Sequence, residues 1–157
     1  MKNTFFLLFT LLFLNTLHSQ TNNVKNILEE YNYSTDSFFV GGTLTNFQLN
    51  TELENIFLKE FNYLTPANSF KQTAIHPKPD VWRWERYDSF INSANENNLI
   101  LRVHGPISPQ ASKWVKDDSR TKEELSLILE EFLTELCKKV NVEKSVKWMD
   151  VVNETVL

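Results

Sequence analysis

The chain has 157 residues, 41% of them hydrophobic, which suits one ordinary domain core and is too short for a large one. Sixteen basic against twenty acidic side chains give a formal net charge of −4, so the sequence carries no basic footprint for nucleic acid. The single cysteine, Cys137, excludes an intrachain disulfide, and the three histidines, His18, His76 and His104, are too far apart in sequence for metal-ligand spacing.

The first twenty residues, MKNTFFLLFTLLFLNTLHSQ, begin with a positive charge at Lys2 and continue with an apolar block from Phe5 to Leu14. Small Ser19 stands at a suitable cleavage position, so residues 1–19 read as a secretory signal peptide, with an uncleaved anchor as the alternative. The block is shorter than the roughly 20 apolar residues of a membrane-spanning helix. No cysteine adjoins it for a lipid anchor. The expectation is a secreted or periplasmic protein with no membrane contact after cleavage. Residues 20–36 are polar and read as a loose leader, and 37–157 as the folded part.

Strand-like and helix-like segments then alternate. SFFVGGTL (37–44) is a short apolar strand broken at Gly41-Gly42, and TELENIFLKE (51–60) spaces its apolar residues as a helix does. FNYLTP (61–66) is a strand stopped by Pro66. The loop 67–86 is long, and long loops in small domains are often functional. It carries Trp82 and Trp84, which suit either a stacking surface for a ligand or packing of the loop itself. YDSFINSANENN (87–98) puts Tyr87, Phe90, Ile91 and Ala94 on one helical face, and LILRVHG (99–105) is a strand rich in branched residues.

Residues 120–140 are the clearest helix. Thr121 with Glu124 fits a capping box, and Leu125, Ile128, Leu129, Phe132, Leu136 and Val140 form one stripe expected to face the core. Cys137 beside the stripe reads as a small buried apolar residue. VKWMDVVNE (146–154) is the last strand. Strands alternating with helices predict a parallel α/β sheet with right-handed crossovers.

Polar residues recur where the strands run out. Asn68 and Lys71 follow the second strand, His104 closes the third, and Asn153 and Glu154 close the fourth. Parallel α/β folds bind ligands beyond the carboxyl ends of their strands, which points to one shared site. Each residue also has a plainer reading: a solvated lysine, a hydrogen-bonded structural histidine, a chance glycosylation sequon at Asn153-Glu154-Thr155. There is no Gly-rich phosphate loop and no Gly-x-Ser-x-Gly elbow. Periodicity alone does not choose a reaction.

Three stretches resemble glycoside hydrolase family 10, the endo-1,4-β-xylanase family. KWMDVVNE resembles its fourth-strand signature Trp-Asp-Val-Val-Asn-Glu, with Met149 interposed between Trp148 and Asp150. FNYLTPANSFKQT is similar to its second-strand motif, keeping Phe61, Asn62, Thr65, Asn68 and Lys71. LRVHGPISPQASKWV is similar to its third-strand motif, keeping Arg102, His104, Trp114 and, with one deletion, Gln110. Ala67 stands where the family has a sugar-binding Glu, and Ser108 and Pro109 where it has Trp and a second His. Those departures point to a divergent subgroup, acting on xylan or another, more decorated glycan.

The resemblance implies the first four βα units of a (β/α)8 TIM barrel over residues 37–157, truncated after strand 4. It implies a retaining glycosidase with no cofactor and no metal, acting on a xylan-like polysaccharide. Glu154 would be the general acid/base. Asn68, Lys71, His104, Gln110 and Asn153 would contact the sugar. Retaining hydrolysis needs a second carboxylate, which this family takes from its seventh strand, and no residue here matches that nucleophile. The expectation is therefore an N-terminal fragment, inactive by itself. The competing expectation is a non-catalytic secreted protein that binds glycan or assembles with another chain through the same cleft; the oligomeric state stays open.

Overall fold

The structure is a computed structural model that describes residues 23–34, 38–117 and 119–154. The segment read as a signal peptide, 1–19, lies outside the described residues. In chain order the elements are α1 (Val24–Glu30), β1 (Gly41–Leu44), α2 (Glu52–Glu60), β2 (Tyr63–Pro66), α3 (Gln72–Ile75), α4 (Glu85–Glu96), β3 (Ile100–Ile107), α5 (Lys122–Val140) and β4 (Val146–Val152). The four strands form one parallel sheet in the order β1-β2-β3-β4. Each crossover contains a helix, as the alternating pattern predicts.

The sheet has two unlike faces because side chains alternate along a strand. Leu64, Leu101 and Val103 point to the helix side and are fully buried there. They meet Phe57 of α2, Tyr87, Phe90, Ile91 and Ala94 of α4, and Phe132 and Leu136 of α5. The predicted α4 face is therefore the observed one. The opposite face carries Tyr63, Arg102, His104, Trp148 and Asp150, none of them fully covered. Phe39, just before β1, closes over that face against Tyr63 (ring centroids 6.1 Å) and Trp148 (5.0 Å).

The α5 stripe is only partly a core stripe. Phe132 and Leu136 are fully buried, but Leu125 is 37% exposed and Ile128, Leu129 and Val140 are half-buried. Cys137, expected to be buried, is exposed, beside the buried Leu136 at the edge of the stripe. The capping box forms: Thr121 Oγ1 accepts from Glu124 N (3.2 Å) and Glu124 Oε2 accepts from Thr121 N (2.8 Å).

Residues 24–30, expected to lie in a loose leader, form α1 instead. Asn23 caps it, and Val24 N and Lys25 Nζ donate to Glu60 Oε2 (2.7 Å) and Leu58 O (2.6 Å) of α2. Polar composition hid this helix because it docks through hydrogen bonds and buries none of its residues completely. The first strand is shorter than expected, starting at Gly41. There the two main chains approach so closely that a Cβ on Gly41 would stand 2.0 Å from Tyr63 O, so this position requires glycine.

Two irregularities shape the last strand pair. The register steps from Leu101↔Val146 to Arg102↔Trp148, leaving Lys147 as an unmatched residue in β4. A second step, from His104↔Asp150 to Ile107↔Val152, leaves an extra residue in β3 at Gly105-Pro106. Such bulges re-aim side chains and are common beside active sites.

Candidate functional site

Two hydrogen-bonded groups hold three of the six predicted residues, Lys71 and Gln110 in the loops after β2 and β3 and His104 within β3, which runs on to Ile107. The first joins the β2 and β3 loops. Lys71 is 5% exposed, and its Nζ donates to Gln110 Oε1 across 39 residues of sequence. Among the described residues no carboxylate lies within 4 Å of that ammonium, so it retains donors for hydroxyl groups. Asn68, itself exposed, opens an otherwise buried turn closed by Lys71 N donating to Asn68 O (3.3 Å).

The second group crosses from β3 to β4. Period-two alternation places Arg102 and His104 on one face, and the register sets His104 against Asp150. His104 Nδ1 lies 2.7 Å from Asp150 Oδ2, and Arg102 Nε donates to Asp150 Oδ1 at 3.1 Å. Burial alone would push the Asp150 carboxyl up. The hydrogen bonds and positive charge of His104 and Arg102 outweigh it and hold the carboxyl below the usual aspartate range. With Nδ1 committed to Asp150, His104 has Nε2 left for a ligand.

Asn153 and Glu154 follow directly. Asn153 N donates to Ile107 O (2.9 Å), which extends the β3–β4 pairing one step past β4. Gly105 stands under Asn153 with φ +51, and a Cβ there would lie 2.7 Å from Asn153 Cβ. Glu154 is exposed and has φ +55, a left-handed conformation that costs a non-glycine residue about 1–2 kcal/mol. The structure thus brings Lys71 to Gln110 and Gly105 to Asn153. Glu154 and the side chain of Asn68 make no hydrogen bond among the described residues.

Asp150 and Arg102 stand in the sequence only as motif positions, yet Asp150, itself held by Arg102, fixes His104. Their signal was present, since Arg102 and His104 are two apart on a strand. Only the register, which a single sequence does not display, supplies the partner. The tryptophans of the long loop turn out to be packing residues. Trp82 stacks on His76 (4.0 Å, 9° between planes) and on Trp84 (5.7 Å, 6°), and lies against Phe132 of α5. Both rings are partly buried against the core cluster, so packing accounts for their positions.

The family model of Glycosyl hydrolase family 10 matches residues 28–157. A β-1,4-xylanase of Dictyoglomus thermophilum is 33% identical over 120 residues, which cover 76% of this chain and 33% of the relative. Endo-1,4-β-xylanase B of Thermotoga neapolitana is 33% identical over 99 residues, covering 62% of this chain and 28% of the relative. Among solved structures, xylanase 10B of Thermotoga petrophila in complex with xylobiose superposes with a TM-score of 0.72 at 30% identity, covering 89% of this chain and 42% of that one. The chain spans roughly a third of the length of these curated relatives. Its four parallel strands and their helices correspond to the first βα units of such barrels.

Proposed function

The chain belongs to glycosyl hydrolase family 10, and from that premise we propose that the protein is a secreted retaining glycosidase cleaving internal β-1,4 bonds of xylan or a related plant polysaccharide. In this reading Glu154 is the general acid/base, protonating the leaving glycosidic oxygen and then activating water. Asn153, His104, Asn68, Lys71 and Gln110 bind the sugar. The attacking carboxylate belongs about 5–5.5 Å from the acid in a retaining enzyme. By resemblance it comes from the seventh strand of a barrel whose first four strands are the sheet described here. The amino-terminal signal carries the protein out of the cytoplasm.

The observation that carries the reading is the left-handed Glu154, two residues beyond β4 and next to Asn153, which the hydrogen bond to Ile107 O holds. Five described non-glycine residues have positive φ; Asn32, Asn50, Asp80 and Asn98 are of the types that tolerate it, and the fifth, Glu154, is the residue the family signature marks as the acid. The buried ammonium of Lys71 and the half-buried imidazole of His104 add hydroxyl-binding groups at neighbouring strand ends.

The test is Glu154→Gln in the full-length protein. It abolishes hydrolysis of xylan, whose leaving group needs a proton, and spares part of the activity on aryl xylosides with good leaving groups. Equal loss on both substrates would sink the acid/base role. Saturable xylan binding by a wild-type protein with no hydrolysis would instead support a non-catalytic glycan-binding protein using the same cleft.

A further inference from the structure

Gln72 is the first residue of α3 and is 1% exposed. A buried primary amide is costly unless its groups are matched, and here both ends are. Its Oε1 accepts from Ser112 N at 2.8 Å, and its Nε2 donates to His76 O at 2.6 Å. The first bond spans 40 residues and ties the β2 loop to the β3 loop. It lies immediately behind the Lys71–Gln110 contact, since Gln72 follows Lys71 and Ser112 is two residues past Gln110. The second bond anchors the same amide to a carbonyl that Trp114 Nε1 also reaches, at 3.1 Å.

The Lys71–Gln110 pair joins two flexible side chains, and Gln110 is exposed. By itself such a contact is weak and pays the rotamer entropy of both partners. The doubly bonded, buried amide holds the two loops at their separation, with the Trp114 Nε1–His76 O bond beside it. We infer that Gln72 is a positioning residue for the sugar-binding pair Lys71 and Gln110, and that it sets the affinity of that side of the cleft for a β-1,4-linked glycan. This rests on the glycosidase reading above.

The experiment uses the full-length protein and xylohexaose. Gln72→Met keeps the shape and removes both hydrogen bonds; Gln72→Glu keeps an acceptor for Ser112 N and loses the donor to His76 O. Gln72→Met raises KM about tenfold with kcat within about twofold, a size set by one or two buried hydrogen bonds. Gln72→Glu recovers part of that loss. In a Lys71→Ala background the Gln72→Met effect on KM disappears, because Gln72 acts through the lysine. A merely structural glutamine would lower the melting temperature and keep its effect whether or not Lys71 is present, which would overturn the inference. So would an unchanged KM in an active Gln72→Met, or in Gln72→Glu should Gln72→Met fail to fold. A wild-type protein that neither hydrolyses nor binds xylohexaose overturns the glycosidase reading, and this inference with it.

Discussion

His104 on β3 and Asp150 on β4 stand opposite each other in the strand register and share a 2.7 Å contact between Nδ1 and Oδ2. The aspartate is shared with Arg102, so one carboxylate orients an imidazole and neutralises a guanidinium on the same sheet face. That face is the one left open by the helices, and its strand ends carry the proposed cleft.

Asp150→Asn keeps the volume but removes the charge. The amide can still accept from one neighbour, not hold both as an anion does. We expect a loss of about 1 kcal/mol of stability after solvent screening, and a fall in kcat/KM of about tenfold or more from a mis-set His104. The pH dependence has a definite sign. The folded carboxyl titrates below its unfolded value, so its contribution is complete above about pH 4 and disappears as pH falls through the folded pKa. Urea melts of wild type and variant at pH 7 and pH 3 check this: their difference shrinks in acid.

Gly105→Ala tests the link between backbone and cleft. The new Cβ would sit at φ +51 and 2.7 Å from Asn153 Cβ, so Asn153 must move or the bulge must open. The left-handed conformation alone costs about 1–2 kcal/mol. Because Glu154 follows Asn153, we expect xylan hydrolysis to fall more than tenfold while the fold persists. Circular dichroism and a xylan reducing-sugar assay on one preparation separate these effects. Full activity would mean that Asn153 yields without carrying Glu154 along.

Much of the architecture is legible in the sequence where burial imposes a period. Tyr87, Phe90, Ile91 and Ala94 announce α4, and the branched residues of 99–105 announce β3, because each segment packs on one continuous core. What is not legible depends on partners distant in sequence. The α1 helix is held by Glu60 and the Leu58 carbonyl, so its own composition does not reveal it. Cys137 looks like a core residue by spacing, yet the stripe it borders is wider than the surface that covers it. In the site, Lys71 and His104 stand out as polar residues where strands run out and Gln110 as a motif position, whereas Asp150, Arg102 and Gln72 gain their meaning only from cross-strand and cross-loop contacts.

Trp82→Ala separates packing from ligand stacking. The ring is sandwiched between His76 and Trp84 and lies 6.4 Å from the Phe132 ring, so its removal leaves a void against α5. We expect a destabilisation of about 2–3 kcal/mol, below the 3–5 of a fully buried tryptophan because the ring is only half-buried. KM for xylan in the folded variant should stay within about twofold. A large rise in KM without loss of stability would return this residue to the glycan.

His76 supplies the last prediction. Its ring is 2% exposed, stacked on Trp82 and edge-on to Trp114, and neither ring nitrogen has a hydrogen-bond partner among the described residues. Burial lowers its pKa, and the negative charges of Glu131 and Asp80 offset this only in part. The folded protein therefore disfavours the imidazolium. As pH falls below about 6.5 the unfolded chain takes up a proton that the fold resists, and stability drops by at most about 1.4 kcal/mol per pH unit from this residue. Above that pH the neutral ring costs nothing further with pH. His76→Phe keeps a flat ring between the tryptophans and removes two unmatched nitrogens, so it should match or exceed the wild-type melting temperature at pH 7.5. At pH 5.5 its advantage should grow by several degrees, because the variant has nothing to protonate at this position. Thermal melts at the two pH values decide it: a constant difference between the proteins would show that His76 does not resist protonation in the fold.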